Sequence, residues 1–353
     1  MSELKTNKIQ TNDTNNVAID NALGLKSYTT TQRDALTSAA GDMIYNTTTS
    51  SPEYYDGSSW VQLANQLIDR VDYLIIAGGG TGGNGEANLA NGGGGGAGGY
   101  RSSWNNETSG GGQSSESTLT NIQADTAYSV SVGAGGTSTN YQSGSDSFFK
   151  HAATGLDITS KGGGTGGGWN GVAAGTGGSG GGGGTPSGSA GGAALTSPVV
   201  HGYAGGSMES GSPYRGGGGG GAGEAGNTDG QSAGGDGLAS TITGSSVVRG
   251  GGGGAGGDGS LNPAGEGGGA NGVTYASGSH PAHATANTGG GGGGGASRSY
   301  NKNGSSGGSG VIILRYPNGY SITFGAGVTG TESATGSDKY AVITAGTGTV
   351  TWS

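Results

Sequence analysis

Cysteine is absent from this 353-residue chain, which excludes disulfide staples, thiol nucleophiles and Cys-ligated zinc or iron–sulfur centres. Basic residues are scarce: Lys and Arg total 14 against 23 Asp and Glu, with no cluster among them. A nucleic-acid partner would call for a basic patch or stripe, so none is expected. Charged residues make up 10% of the chain, against about 25% in an ordinary domain. The net charge of −9 is spread too thinly for a long-range field to steer association. No run approaches the roughly 18 consecutive apolar residues of a membrane span, so no membrane insertion is expected. The sequence Met1-Ser2-Glu3-Leu4-Lys5 leads into polar Asn/Thr-rich segments without an apolar signal stretch, which points to synthesis ending in a cytoplasm. Asn-x-Ser/Thr matches at Asn12, Asn46, Asn106 and Asn303 then read as chance in a polar chain.

What the chain has instead is glycine, 91 residues of it, in unbroken runs such as 216–221, 250–254 and 289–295. Such a composition ordinarily marks disorder. Flexible Gly/Ser linkers, however, lack aromatic and branched residues, whereas the spacers here carry Trp104, Trp169, Tyr203, Tyr214, Tyr275 and Tyr300. Glycine blocks begin near 180, 216, 250 and 289, while the sequence between them is not repeated. Recurrence at such a period marks stacked units joined by variable loops. A polyproline-II-like helix of glycine has about three residues per turn and no internal hydrogen bonds, and about eight residues give a rod of roughly 25 Å. Every amide must then bond sideways to a neighbouring rod, since buried amides are nearly always paired. On this reading Ala97, Ala222 and Ala255, each inside a glycine block, face outward or sit at a lattice edge. Ordering each backbone costs roughly 1–2 kcal/mol and a net hydrogen bond returns about 0.5–1.5, so the rods need an apolar anchor.

That anchor is visible in the flanks. Val71 to Ala77 runs into the first glycine run and Gly310 to Tyr316 runs out of the last; both are largely apolar and of strand length, as in strands buried on both faces that share one sheet. Ala127 to Val132 alternates as a half-buried strand should, and Phe148-Phe149 with Leu156 to Ile158 complete a sandwich. Ser321 to Phe324 adds a short strand. A final hairpin is expected from Tyr340–Thr344 and Thr349–Trp352 around Ala345-Gly346-Thr347-Gly348. At the other end, residues to about 66 have ordinary composition: a short helix capped by Thr30 or Thr31 and running through Leu36, then a β-meander with Asp56-Gly57 as a two-residue hairpin turn. A module so small relies on oligomerisation, and a trimer is expected. The fold class is therefore mainly β, with an N-terminal meander (1–66), a glycine-rich domain of bracketing strands and polyglycine-II rods (67–318) and a C-terminal hairpin segment on the same sandwich (319–353).

Val71 to Gly80, Gly92 to Gly99 with Tyr100-Arg101, Tyr128 to Gly136 and Gly307 to Tyr316 together resemble the glycine-rich domain of tail fibres and adhesins of tailed bacteriophages, marine ones in particular. Tyr28 to Leu36, Gly41 to Asn46 and Tyr55 to Trp60 are similar to a module common in the same appendages. The resemblance implies a non-enzymatic virion appendage, assembled in the host cytoplasm. Its N-terminal module would join tail or baseplate proteins, and its loops would contact a host surface glycan or outer-membrane protein. It carries no catalytic residues to transfer. Receptor-binding candidates are the spacer residues Trp169, His201, Tyr203, Tyr214, Arg215, Tyr275, His280 and Tyr300, because rigid rings on a stiff scaffold are suited to recognition.

Other chemistries are less well supported. His280-Pro281-Ala282-His283 lacks helical spacing, so no metal site is assigned with His201. Segments 234–238 and 253–258 each miss part of the calcium nonapeptide pattern. Gly-x-Gly-x-x-Gly matches arise by chance in such a chain, and no cofactor is expected. Glu209, Glu224, Asp229, Asp236, Asp258 and Glu266 could supply a glycosidase pair, but their small flanks offer no burial to raise a pKa. The alternatives carried forward are a head fibre or capsid decoration protein, and a non-viral ice-binding or structural glycine-rich protein.

Overall fold

The computed structural model describes residues 24–353 apart from 64–66, 87–89, 139–140, 170, 186–189, 210–213, 258–261, 276–279 and 297–301, in two compact units, Met1–Gln66 and Leu67–Ser353.

The first unit is a four-stranded sheet of β1 (Ser27–Tyr28), β2 (Met43–Asn46), β3 (Ser51–Tyr55) and β4 (Trp60–Gln62), in that order, with helix α1 (Thr30–Asp34) between β1 and β2. Thr29, one residue earlier than expected, caps α1: its Oγ1 accepts from Gln32 N at 3.3 Å while Thr29 N donates to Gln32 Oε1 at 2.9 Å. The reciprocal pair satisfies two free amides at once, which is why this register wins. Asp56-Gly57 is not a two-residue turn. Asp56 Oδ1 accepts from the amides of Ser58 and Ser59, each at 2.7 Å, and so builds a longer loop between β3 and β4. Those amides hold its carboxyl down at about 2.

In the second unit the short strands β5 (Leu67–Ile68) and β8 (Ile122–Gln123) pair with each other, as do β12 (Leu238–Ser240) and β13 (Val247–Arg249). The main sheet runs β11 (Leu156–Ser160), β10 (Ser147–His151), β9 (Tyr128–Ser131), β17 (Asp338–Trp352), β14 (Val311–Pro317), β6 (Asp72–Ile76) and β7 (Tyr100–Ser102). Strands β15 (Ile322–Phe324) and β16 (Val328–Thr335) also pair with β17. The two bracketing strands do share this sheet, β6 antiparallel to β14.

Instead of two separate sheets there is one curled one, because β17 serves both halves. Its residues 338–343 pair with β14 and 347–350 with β9. The expected C-terminal hairpin is thus one 15-residue strand. Gly346, at φ +99°, bends it where a turn was expected. The true hairpin joins β16 to β17 around Gly336, itself at φ +61°.

Curling gives β6 and β14 a different partner on each face. Tyr73, Ile75, Ile312 and Leu314 enter the core enclosed by the curl, with Tyr128, Phe149, Tyr316 and Trp352. Leu74, Ile76, Val311 and Ile313 pack on Tyr100, Ala222 and Ile242 outside it. This is the physical reason the two segments are apolar without alternation.

The rods grow directly out of these strands. Segment 92–99 shows the lattice best, because its donors repeat every third residue. Gly92, Gly95 and Gly98 donate to Gly295, Gly292 and Gly289 at 2.9, 2.7 and 2.8 Å; Gly93, Gly96 and Gly99 donate to Gly167, Gly164 and Lys161; Gly94 and Ala97 donate to Gly217 and Gly220. Its carbonyls accept in the same rhythm from Gly256 and Gly253, from Gly83, Gly80 and Ala77, and from Gly182 and Ser179. One rod thus bonds to six neighbouring segments, three through its N–H groups and three through its carbonyls. With three residues per turn, successive amides point about 120° apart, and that geometry produces the hexagonal arrangement.

Close approach, not backbone freedom, demands glycine in this segment. A Cβ on Gly94 would fall within 3.0 Å of Gly253 O, Gly253 C and Gly219 N, all backbone atoms that cannot step aside. Ala97, Ala222 and Ala255 are nonetheless buried, so none faces outward. Ala222 occupies an edge in another sense, its methyl lying where the lattice meets the Leu74–Ile76–Tyr100 cluster.

Candidate functional site

Hydrogen-bond register fixes which ends of the rods coincide. At one level Ala77 bonds to Gly99, Gly99 to Lys161, Gly98 to Gly289, Ala222 to Gly250 and Tyr100 to His201, and this is the level where rods pass into the sheet. At the opposite level Gly83 bonds to Gly93, Gly92 to Gly295, Thr185 to Asn91, Gly216 to Gly256, and Gly85 pairs with Lys302. Described residues far apart in sequence, among them Gly85, Asn91, Thr185, Arg215, Gly257 and Lys302, therefore meet at one end of the bundle.

Tyr214, Arg215 and Tyr275 belong to that distal level. Arg215 pairs with Gly257, and Tyr275 N donates to Gly257 O. Asn91, fully buried, ties the group together by donating from Nδ2 to Tyr214 O at 2.6 Å and to Tyr275 Oη at 2.8 Å. Its own backbone is clamped by Thr185, whose Oγ1 accepts from Asn91 N at 2.6 Å. Asn91 was missed by sequence reasoning; its position one residue before a glycine run, where a side chain can cap a rod, was the available signal. Tyr214 is 39% exposed, while Arg215 and Tyr275 are half-buried. Trp169, half-buried, follows the same level two residues after Gly167. His280 is exposed, with Nδ1 3.5 Å from Asn303 O. Tyr300 lies outside the described residues.

His201 and Tyr203 sit elsewhere. Tyr203, half-buried, bonds through its amide to Gly221 O. His201 lies at the sheet-side level and is 0% exposed, so it presents no atom to a partner. Gly99 packs against the ring, where a Cβ would come within 2.9 Å of His201 Nδ1. Neither ring nitrogen has a hydrogen-bond partner, and burial, aided by the nearby Arg101 charge, pushes the imidazole down to about 4. Lys161 pushes in the same direction, while Glu116 and Asp146 oppose it. The unfolded chain has an ordinary histidine near 6.5, so between about 6.5 and 4 it binds more protons than the folded protein does. Stability is therefore expected to be full above pH 6.5 and to fall as the pH drops toward 4. A His201→Leu variant, followed by urea unfolding across that window, should show a flatter profile; the same slope in both proteins would refute the assignment.

The remaining titratable groups gather differently from expectation. Side-chain oxygens of Glu224, Asp229 and Asp236 lie within 4.8 Å of one another. Burial, with the charges of Asp229 and Asp236, raises the Glu224 carboxyl despite an opposing bond from the Asp236 amide. Asp236 N donates to Glu224 Oε1 at 3.3 Å and Glu266 N donates to Asp236 Oδ1 at 2.6 Å, so two of these carboxylates close backbone ends of the lattice. Glu209 instead pairs through its backbone with Arg215. Asp258 lies outside the described residues. His283 Nδ1 accepts from Ser306 N at 3.1 Å, and nothing brings His280, His283 and His201 together. Segment 234–237 is a rod running into β12.

A family model described as a glycine-rich domain matches residues 56–317. A second, described as a phage tail like trimerisation region, matches residues 8–82. No curated protein matches the chain.

Proposed function

The chain belongs to the glycine-rich domain family, and from that premise we propose that it binds a host cell-surface receptor through the distal loop ends of its rod lattice. With the trimerisation match added, it is a phage tail fibre-like structural protein, a homotrimer and a virion component. Among the described residues no helix is long and apolar enough to cross a membrane. The observation that carries the proposal is the crowding of Tyr214, Arg215 and Tyr275 at one end of a bundle whose other end is fused to an apolar sheet. A lattice whose central rod is bonded to six neighbouring segments holds its loop ends still, so aromatic anchors there lose little entropy on binding. The role is that of a binder, with no chemistry assigned to it, and the N-terminal unit joins the fibre to other tail proteins. The tail-like match favours the tail over the head, and favours both over an ice-binding or other non-viral protein.

The test is binding of purified protein to host cells. Tyr214→Ala combined with Tyr275→Ala is expected to weaken binding by at least about tenfold, the usual cost of removing aromatic anchors. Gly319→Ala, in open surroundings, should bind as the parent does. Equal binding by the double variant, or no binding by the parent, refutes the proposal.

A further inference from the structure

The sheet of the first unit leaves one apolar face uncovered. Met43 stands opposite Tyr54, Tyr45 opposite Pro52 and Tyr54 opposite Val61, so these residues share one face. Leu63, two residues beyond Val61 and still laddered by its amide to Pro52 O at 2.9 Å, extends it. The other face carries Ile44, Asn46, Ser51, Glu53, Tyr55, Trp60 and Gln62 by the same registers. That second face is the one α1 covers, since Arg33 Nη1 meets Glu53 Oε2 at 2.9 Å. Glu53 Oε1 further accepts from Asn46 Nδ2 and Thr49 Oγ1, both at 3.0 Å, and Asn46 Nδ2 reaches Thr30 Oγ1 at 3.0 Å.

The covered face therefore holds a hydrogen-bonded polar group around Glu53 and Asn46 beside Ile44 and the Tyr55–Trp60 ring pair, 5.5 Å apart. Across β2, β3 and β4 the opposite face carries only aliphatic, aromatic and proline side chains, with Ser27 of β1 beside Tyr45 at its margin. Met43 and Leu63 remain 45% and 47% exposed, and the other four are half-exposed. A sheet normally turns its apolar face to a core and leaves the polar one in water. Across β2, β3 and β4 the one charged residue is Glu53, on the covered side.

We propose that the face formed by Met43, Tyr45, Pro52, Tyr54, Val61 and Leu63 is the contact through which copies of this chain associate into the trimer. The occupant is another copy, for two reasons. The match to a trimerisation region spans every residue of the face. The face also has no charge, so it meets its own kind without burying an unpaired ion. This assignment rests on the trimer named above, and it adds which surface makes it.

Sedimentation of the full chain tests it. The parent is expected at three times 33.4 kDa and a Met43→Lys, Val61→Lys double variant at 33.4 kDa, a threefold loss of mass; Gln62→Lys, on the α1 side, should keep the parent's mass. Because the double variant could misfold, a second readout uses the absence of cysteine. Val61→Cys with a short bismaleimide should give covalent dimers, since each copy then holds one thiol, and Gln62→Cys should not. A parent at 33.4 kDa overturns the trimer reading and this assignment together. A trimeric parent whose double variant stays trimeric, or cross-links at 62 but not at 61, overturns the assignment alone. So does a double variant that stays trimeric yet no longer joins virions, which would make the occupant another tail protein.

Discussion

Gly94→Ala is expected to destabilise the second unit by about 3 kcal/mol or more, although it adds a single methyl group. Overpacking a core usually costs about 1–3 kcal/mol because side chains can shift to absorb it. Here the obstructing atoms are Gly253 O, Gly253 C and Gly219 N. Each belongs to a neighbouring rod that is itself bonded to segment 92–99, since Gly253 N donates to Gly95 O and Gly94 N donates to Gly217 O. Relief therefore requires two rods to move apart and surrender hydrogen bonds, leaving buried amides whose desolvation is not repaid. Gly319→Ala is the matched control: nothing lies within 4 Å of its Cβ, and it should change stability by less than about 0.5 kcal/mol. Urea unfolding of both variants at one protein concentration decides the matter. Equal midpoints would mean the rods are not packed at backbone contact distance.

A comparable loss is expected from the core of the curled sheet. Trp352 is fully buried, edge-on to Tyr128 at 5.6 Å, Phe149 at 6.1 Å and Tyr316 at 5.7 Å. It closes the curled sheet at the end of β17, the strand on which both halves depend. Trp352→Ala should cost about 3–5 kcal/mol, the range for emptying a large aromatic site. Trp352→Phe should cost less than about 1.5 kcal/mol, because the indole Nε1 has no hydrogen-bond partner to lose. The informative readout is amide exchange in the glycine tracts. The lattice gains little net energy from its own bonds, so the alanine variant should speed exchange at Gly94 to Gly98, far along the chain from the substitution. A destabilised sheet with unchanged exchange in the rods would show that the two parts hold together independently.

The legible features of the sequence were those set by local composition. Uninterrupted apolar character in Leu74-Ile75-Ile76 and Val311-Ile312-Ile313-Leu314 pointed to strands covered on both sides, and those strands lie side by side. Glycine runs bracketed by such strands pointed to rods bonded laterally. The errors fell where a residue's meaning depends on what lies across from it. Ala345 to Gly348 has the composition of a turn, yet pairing with both β16 and β9 holds it as a bent stretch of strand. Asp56-Gly57 has the letters of a tight turn, but the aspartate's own hydrogen bonds to Ser58 and Ser59 select a wider loop. His201 sits in a spacer between glycine blocks like Tyr214, and only the register of neighbouring rods separates a sealed ring from an exposed one. Asn91 had no distinguishing mark beyond its place before a run.

By itself the sequence determined the materials: a cysteine-free, weakly charged chain whose glycines can approach one another at backbone distance and whose branched residues can anchor them. Those properties belong to single residues and their immediate neighbours. Tertiary structure decided which rod bonds to which, whether an alanine is tolerated, which spacers share an end of the bundle, and how β17 joins two half-sheets into one. A glycine tract carries no side-chain pattern to encode its partners. Its register is therefore imposed by the strands and loops that deliver each rod to its place, and that information exists only once the chain has closed on itself.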